Sequence, residues 1–227
     1  MSERHQFGES EEMYLKTVYV LAEAQDPVPV TALAEKLKIT TVSASEMVRR
    51  LQERKLLEHM PYKGVRLTPL GENRARDILR RHRLWERFLT DQLELDWAHA
   101  HDAACQLEHL TDEEIMAALD RFLGHPETCP HGNPIPRDSQ QVSRKSRIPL
   151  SALQVGDEAT IVRIQNEETA LLAHLAGHGL RPGQRFLLEE IAPYDGPRAL
   201  RMGEEVQVVG RDVAEHIIVQ KSSRGND

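Results

Sequence analysis

The segment His101-Asp102-Ala103-Ala104-Cys105-Gln106-Leu107-Glu108-His109 concentrates side chains that bind transition metals. On an α-helix turning about 100° per residue, His101, Cys105, Glu108 and His109 share one face roughly 100° wide. Imidazole, thiolate and carboxylate on one face form a half-site for a divalent transition metal. His82 and Glu86, spaced i, i+4, supply a second half-site upstream. Antiparallel packing of the two helices would gather His82, Glu86 and His101 around one ion. Taken singly, each residue has a plainer reading. A lone His or Cys on a helix is usually a core or surface residue, and an i, i+4 His/Glu pair is usually an ion pair worth a few tenths of a kcal/mol. Together they point to metal.

Several elements must position these groups. Ser10-Glu11-Glu12 starts a helix reaching about Ala24, and Asp26, Pro27 and Pro29 break it. Thr31 caps a second helix, and Thr40 or Thr41 opens a third through about Arg54, giving a helix-turn-helix. The stretches Leu56–Met60 and Val65–Leu67, either side of Tyr62-Lys63-Gly64, read as a β-hairpin wing. Thr68-Pro69 starts a long helix to about Leu93. Asp96 begins another, to about Leu110, and Thr111-Asp112-Glu113-Glu114 is a capping box for a helix ending near Gly124. The proline-, glycine- and polar-rich stretch from His125 to Pro149 reads as connecting chain. Beyond it, strands at 159–164, 185–191 and 205–209 surround one helix at 167–176, the pattern of a small SH3-like barrel. The expected organisation is a winged helix-turn-helix over 1–74, a helical metal-binding and dimerisation domain over 75–140, a linker over 141–150, and an all-β SH3-like domain over 151–227. The fold class is thus mainly α in the N-terminal part, with a C-terminal all-β barrel.

The net charge of −7 conceals a sharp division. Residues 47–87 hold 12 basic and 5 acidic side chains, whereas residues 88–140 hold 2 basic and 11 acidic. A basic block beside an acidic one suits a polyanion-binding element joined to a cation site. The third helix opens with Thr40-Thr41-Val42-Ser43-Ala44-Ser45-Glu46, whose short hydroxyl side chains can approach a major groove closely. Arg49, Arg50 and Arg54 further along it, with Lys63 and Arg66 on the wing, are placed to neutralise phosphates.

In four motifs, Glu12-Met13-Tyr14-Leu15, His82-Arg83-Leu84-Trp85-Glu86, the His101–His109 segment and Gly132-Asn133-Pro134-Ile135-Pro136, the chain resembles the diphtheria-toxin-repressor family of iron- and manganese-dependent regulators. The resemblance covers all three regions. It implies a primary, activating site of Met13, Cys105, Glu108 and His109, and an ancillary site of His82, Glu86 and His101 with Glu168 from the barrel. Leu171 stands where a partner glutamine is expected, so Glu167, His174 or His178 would have to compensate. Arg83 and Asn133 fall where relatives bind an anion. Thr40, Val42, Ser43, Ser45 and Glu46 take base-proximal positions and Arg50 a backbone-contacting one. Relatives carry proline and glutamine at the Val42 and Glu46 positions, and an acidic Glu46 would accept from cytosine. The family's manganese branch has carboxylates where Met13 and Cys105 stand. Thioether and thiolate therefore favour Fe²⁺, with Mn²⁺ next, while Zn²⁺, Co²⁺ or Ni²⁺ would bind in vitro.

The resemblance implies a repressor that binds operator DNA as a homodimer when metal is bound and controls metal-homeostasis genes. Apolar residues around Leu107–Leu123 suit a dimer interface. Two rival functions fit parts of the pattern: a winged-helix regulator with vestigial metal sites, and a metalloenzyme using Glu108 as base. The enzyme reading lacks an accompanying nucleophile or glycine-rich loop, so no catalytic residue is assigned. No apolar run reaches the 18–20 residues or so that span a bilayer, and residues 1–15 are acidic and polar rather than signal-like. Two cysteines, Cys105 and Cys129, are too few for a disulfide framework, so a reducing cytoplasm is expected.

Overall fold

Helix α1 (Glu9–Leu21) begins with Glu9, Glu11 and Glu12 in its first turn, where the helix dipole favours acids. Helix α2 (Val30–Lys36) starts behind Pro29, one residue before the Thr31 cap expected from sequence. Thr40 caps α3 (Thr41–Glu53), its hydroxyl accepting from the Ser43 amide at 3.1 Å. Such a cap is worth about 1 kcal/mol. This computed structural model describes residues 8–137 and 147–222, so most of the expected 141–150 linker lies outside the described residues. The chain forms two compact units. The first holds the residues up to His82 together with Leu107–Thr111, and the second holds Arg83–Gln106, Asp112–Ile135 and the described chain from Arg147 onward.

In the first unit, Tyr14, Leu15 and Val18 of α1 meet Leu33 and Ala34 of α2 and Val48 and Leu51 of α3 in one buried cluster. Full burial of each such aliphatic side chain contributes about 1.5–3 kcal/mol. The wing pairs β1 (Leu57–Met60) with β2 (Gly64–Leu67) in antiparallel register, and Val28 bridges Val65 on the other side. That bridge brings backbone against Gly64, which has φ +128°; a Cβ there would lie 2.1 Å from the Val28 carbonyl oxygen, so only glycine fits. Helix α4 (Pro69–Asp91) starts at its proline, with Thr68 Oγ1 accepting from the Gly71 amide at 3.1 Å.

Helix α5 (Trp97–Leu110), whose last turn belongs to the first unit, is capped by Asp96, which accepts from the amides of Ala98 and His99. Asp112 rather than Thr111 caps α6 (Glu113–Phe122), since Thr111 Oγ1 is donated to the Leu107 carbonyl. Leu84, Met116, Leu119 and Ile135 form a small buried cluster, with Trp85, Phe88 and Leu123 against it. Ile115 and Phe122 of α6 remain exposed.

The C-terminal part is a six-stranded antiparallel sheet in the order β3-β8-β4-β5-β6-β7, folded as an SH3-like barrel. Its strands are β3 (Arg147–Pro149), β4 (Glu158–Ile164), β5 (Arg185–Ile191), β6 (Arg198–Met202), β7 (Glu205–Val209) and β8 (Ile217–Lys221). Helix α7 (Thr169–Gly177) follows β4, and the short α8 (Arg211–His216) precedes β8. Strands β4, β5 and β7 fall within a residue of the sequence expectation, whereas β3, β6, β8 and α8 were not anticipated. In β6 the alternation is disguised by Arg198, which is 1% exposed and donates through its terminal nitrogens to the Gly196 and Ser151 carbonyls and Asp195. Strand β8 opens with three consecutive buried apolar residues and so shows no period of two.

Candidate metal centres and DNA-facing surface

Among the described residues, donor groups gather within each unit. In the first, α1 presents Glu12, Met13 and Lys16, α4 presents Arg81 and His82, and the last turn of α5 presents Glu108 and His109. The Glu108 side chain is fully buried and engaged from several sides. Lys16 Nζ donates to Oε1 at 2.6 Å and Oε2 at 2.8 Å, and His82 Nδ1 stands 2.7 Å from Oε2. Arg81 donates to the Glu108 backbone carbonyl at 3.2 Å. Burial resists ionisation of Glu108, but His82 and Lys16 outweigh it and hold the carboxyl below its ordinary pKa.

His109 is oriented by Glu12, whose Oε2 accepts from Nδ1 at 2.6 Å. Its Nε2 is buried, makes no hydrogen bond, and faces Glu108 Oε1 at 3.4 Å. Burial lowers the His109 pKa, but the Glu12 hydrogen bond and the two nearby carboxylates raise it overall. A neutral ring donating from Nδ1 keeps its lone pair on Nε2. This carboxylate–histidine relay is how metal-ligating histidines are held. The orphaned Nε2 beside Glu108 Oε1 therefore fits a divalent cation. Met13 is half-buried beside Glu12, and its carbonyl accepts from Thr17 Oγ1 at 2.8 Å.

The second cluster joins Glu86 of α4, Cys129 and His131 of the loop before Ile135, and Glu167 of the β4–α7 connection. One donor atom from each lies within 4.8 Å of the others. Cys129 and His131 are almost fully buried. Neither His131 nitrogen makes a hydrogen bond, Nδ1 standing 3.5 Å from Glu86 Oε1 and 3.8 Å from Glu167 Oε1. Burial resists charging of His131, but Glu86 and the neighbouring groups raise its pKa. Burial pushes the Cys129 thiol up, and Glu86 pushes it further. Burial and Glu86 both resist ionisation of Glu167, yet His131 and Arg83 hold it low. A buried Glu86 carboxylate and a partly buried Glu167 around an unsatisfied imidazole and a thiol favour a compensating cation. The mixed O, N and S donors suit Fe²⁺, Mn²⁺ or Zn²⁺.

The loop is held by its backbone. The Cys129 amide donates to the Asn133 carbonyl, the Gly132 amide to the Cys129 carbonyl, and the Ile164 amide to the His131 carbonyl at 2.8 Å. Gly132 adopts φ +79°, and a Cβ on it would lie 2.1 Å from the Val162 carbonyl oxygen. Trp97 packs edge-on against His131, with ring centroids 4.9 Å apart.

Of the residues expected at the ancillary site, Glu86 and His101 come together with a barrel carboxylate, Glu167, one donor atom of each lying within 4.8 Å of the others. His82 is paired with Glu108 in the first unit. His101 lies 2.9 Å from Glu86 Oε1 through Nδ1, and Cys105 Sγ lies 3.9 Å from His101 Nε2. Glu168 is exposed at the start of α7, and the barrel carboxylate in the cluster is Glu167. Leu171 packs against the barrel core. Arg83 donates to the Pro134 carbonyl, and Asn133 donates to the Ile164 carbonyl and Glu167 Oε1, both at 2.7 Å. Asn133 thus holds the protein's own Glu167 carboxylate, and the Arg83 charge favours its ionised form. Cys129 and His131 lie in the proline-rich stretch that composition reads as connecting chain, although Cys129-Pro130-His131-Gly132 itself carries a thiol and an imidazole. Nothing in local sequence indicated Glu12 or Lys16.

On α3, Thr40, Val42, Ser43, Ser45, Glu46, Arg49 and Arg50 are all exposed, as are Lys63 and Arg66 on the wing. Val42 is 70% exposed near the start of α3. Arg66 Nε donates to Asp26 at 2.8 Å. Glu11 of α1 is buried and reaches the recognition helix, pairing with Arg54 and standing 3.7 Å from Arg50.

Family models match nearly the whole chain: the iron-dependent repressor N-terminal DNA-binding domain over residues 6–65, the iron-dependent repressor metal-binding and dimerisation domain over 68–137, and the FeoA domain over 148–221. The chain is 32% identical to the diphtheria toxin repressor of Corynebacterium diphtheriae over 223 residues, covering 92% of this chain and 96% of that protein. It is 30% identical to the iron-dependent repressor IdeR of Mycobacterium leprae over 224 residues, covering 92% and 96%. Among solved structures, a manganese-dependent transcriptional repressor in complex with manganese superposes with a TM-score of 0.84 at 32% identity, covering 93% of this chain and all of that one. The manganese regulator SloR superposes at 0.78 with 30% identity, covering 93% and 98%.

Proposed function

Given that this chain belongs to the diphtheria-toxin-repressor family of metal-dependent transcriptional repressors, we propose that it binds operator DNA as a homodimer when Fe²⁺ or Mn²⁺ is bound and represses genes of metal uptake. The observation that carries this reading is the double role of α1. The helix supplies Glu12 and Lys16 to the Glu108–His109 cluster, and one residue earlier it supplies Glu11 to Arg50 and Arg54 of the recognition helix. A change in how α1 is held at the cluster is therefore felt directly by the helix that reads DNA.

Glu108 and His109, with Met13 on α1, are assigned to the activating ion, and Glu86, Cys129, His131 and Glu167 to a second. A divalent cation supplies positive charge that cross-links donors from separate elements. Glu12 keeps the His109 lone pair on Nε2, Asn133 keeps Glu167 turned inward, and the Arg83 charge favours its ionised form. Soft donors in both sets favour Fe²⁺ over Mn²⁺. Glu108 is engaged by Lys16 and His82 rather than poised as a base, so no catalytic role is assigned. Exposed Ile115 and Phe122 on α6 support a homodimer, and membership of a family of transcriptional regulators supports a cytoplasmic location. No described helix is long and apolar enough to cross a membrane.

The test is operator affinity, read by fluorescence anisotropy at controlled free Fe²⁺ and Mn²⁺. Coupling of about 1–3 kcal/mol predicts a gain of roughly 5–150-fold with metal. Equal affinity with and without metal removes the proposal.

A further inference from the structure

We propose that Lys16 is a built-in competitor for the activating metal, an internal cation that must leave Glu108 before a divalent ion can take its carboxylate. This rests on the assignment of Glu108 and His109 as ligands. Lys16 Nζ contacts both Glu108 oxygens, at 2.6 and 2.8 Å. It thus stands where a cation bridging the two oxygens would stand, and it joins the same two elements, α1 and the last turn of α5. The Lys16 side chain is 11% exposed and that of Glu108 fully buried. Its long stem lets the ammonium swing to water, whereas the carboxylate cannot follow.

The consequence is a set-point. Filling the site is an exchange of one cation for another, and the tethered ammonium competes at a high effective concentration because it is part of the same chain. Without Lys16, the buried Glu108 carboxylate keeps His82 as its close side-chain partner, and a divalent ion meets weaker competition. Groups adjoining metal ligands commonly change affinity 10–100-fold, and here removal of the group acts in the direction of tighter binding.

The experiment is Mn²⁺ binding to the full chain, measured by competition with a fluorescent divalent-metal indicator, for wild type, K16M, K16R and E108Q. Lys16→Met removes the charge and keeps most of the stem. Lys16→Gln, which retains a neutral donor, gives the same measurement should K16M not fold. The site lost in E108Q is expected to bind Mn²⁺ about 10–100-fold more tightly in K16M or K16Q, while K16R, which keeps the charge, stays near wild type. Unchanged or weaker binding in the uncharged variants overturns the inference, and loss of the site in E108Q shows in that case that the ligand assignment stands. If E108Q itself binds as wild type does, the assignment and the inference fall together.

Discussion

Gly132→Ala should disable the second cluster without touching any donor. The new Cβ would lie 2.1 Å from the Val162 carbonyl oxygen and 2.9 Å from the Arg163 Cα, where ordinary contact begins at 3.4 Å. The loop must therefore retreat from β4 by about 1.3 Å, and both obstructing atoms are backbone that cannot turn aside. Alanine at φ +79° adds strain of about 1–2 kcal/mol. The retreat also stretches the 2.8 Å bond from the Ile164 amide to the His131 carbonyl, worth about 1 kcal/mol. Together these destabilise the second unit by roughly 2–3 kcal/mol, or about 5–10 °C in its thermal transition. Because His131 and Glu167 are fixed to opposite sides of that contact, their donor atoms separate and the metal affinity of this cluster should fall at least about tenfold. Calorimetry reads the first effect and indicator competition the second. Trp97, edge-on to His131, gives an independent fluorescence readout of the displaced ring. A Gly132→Ala protein with wild-type melting temperature and wild-type metal affinity would show that the loop is not wedged against β4 in the way described.

Three other outcomes are expected. Glu11→Gln releases Arg50 and Arg54, so metal-free affinity for DNA should rise and the ratio between metal-bound and metal-free affinity should shrink. The salt dependence should steepen by up to about two units, one per arginine newly free to meet a phosphate; an unchanged ratio in anisotropy titrations argues against coupling through Glu11. Glu12→Ala removes the acceptor that fixes the His109 tautomer, and Mn²⁺ affinity at the Glu108–His109 cluster should drop about 10–100-fold with little change at the second cluster. A uniform loss at both would refute the relay. Glu108 has a folded-state pKa below its ordinary 4.5. The stability it contributes is therefore present above that value and lost as pH falls through the depressed one. In chelator, the excess stability of wild type over E108Q in thermal unfolding should be constant near neutrality and vanish in acid; a gap that widens in acid contradicts the assignment.

Much of this arrangement was legible in the residues. Thr40, Thr68 and Asp96 announce helix starts because a short oxygen-bearing side chain can satisfy a free amide locally, and those caps occur as expected. The shared face of His101, Cys105, Glu108 and His109 follows from helical spacing alone. Contacts spanning large sequence distances were not legible. Lys16 and Glu108 are 92 residues apart, and no periodicity marks their encounter. The barrel carboxylate was placed one residue late because 167 and 168 lie where β4 gives way to α7, and neither helical nor strand spacing applies there. Cys129 and His131 sit among prolines whose composition resembles a linker. Their order comes from tertiary backbone bonds to Ile164 and from the close approach at Gly132, which composition does not encode.

The barrel's first strand lies against its last, with Arg147 opposite Gln220 and Pro149 opposite Ile218. Such a module departs from and returns to one place, so evolution can append or discard it with a single cut in the gene. What would leave with it is more than a globular appendage: Glu167 and the Ile164 backbone go too. A shortened descendant ending before Arg147 would keep Glu86, Cys129 and His131 as an open-sided trio, and would need a substitute donor from elsewhere to close the proposed second site.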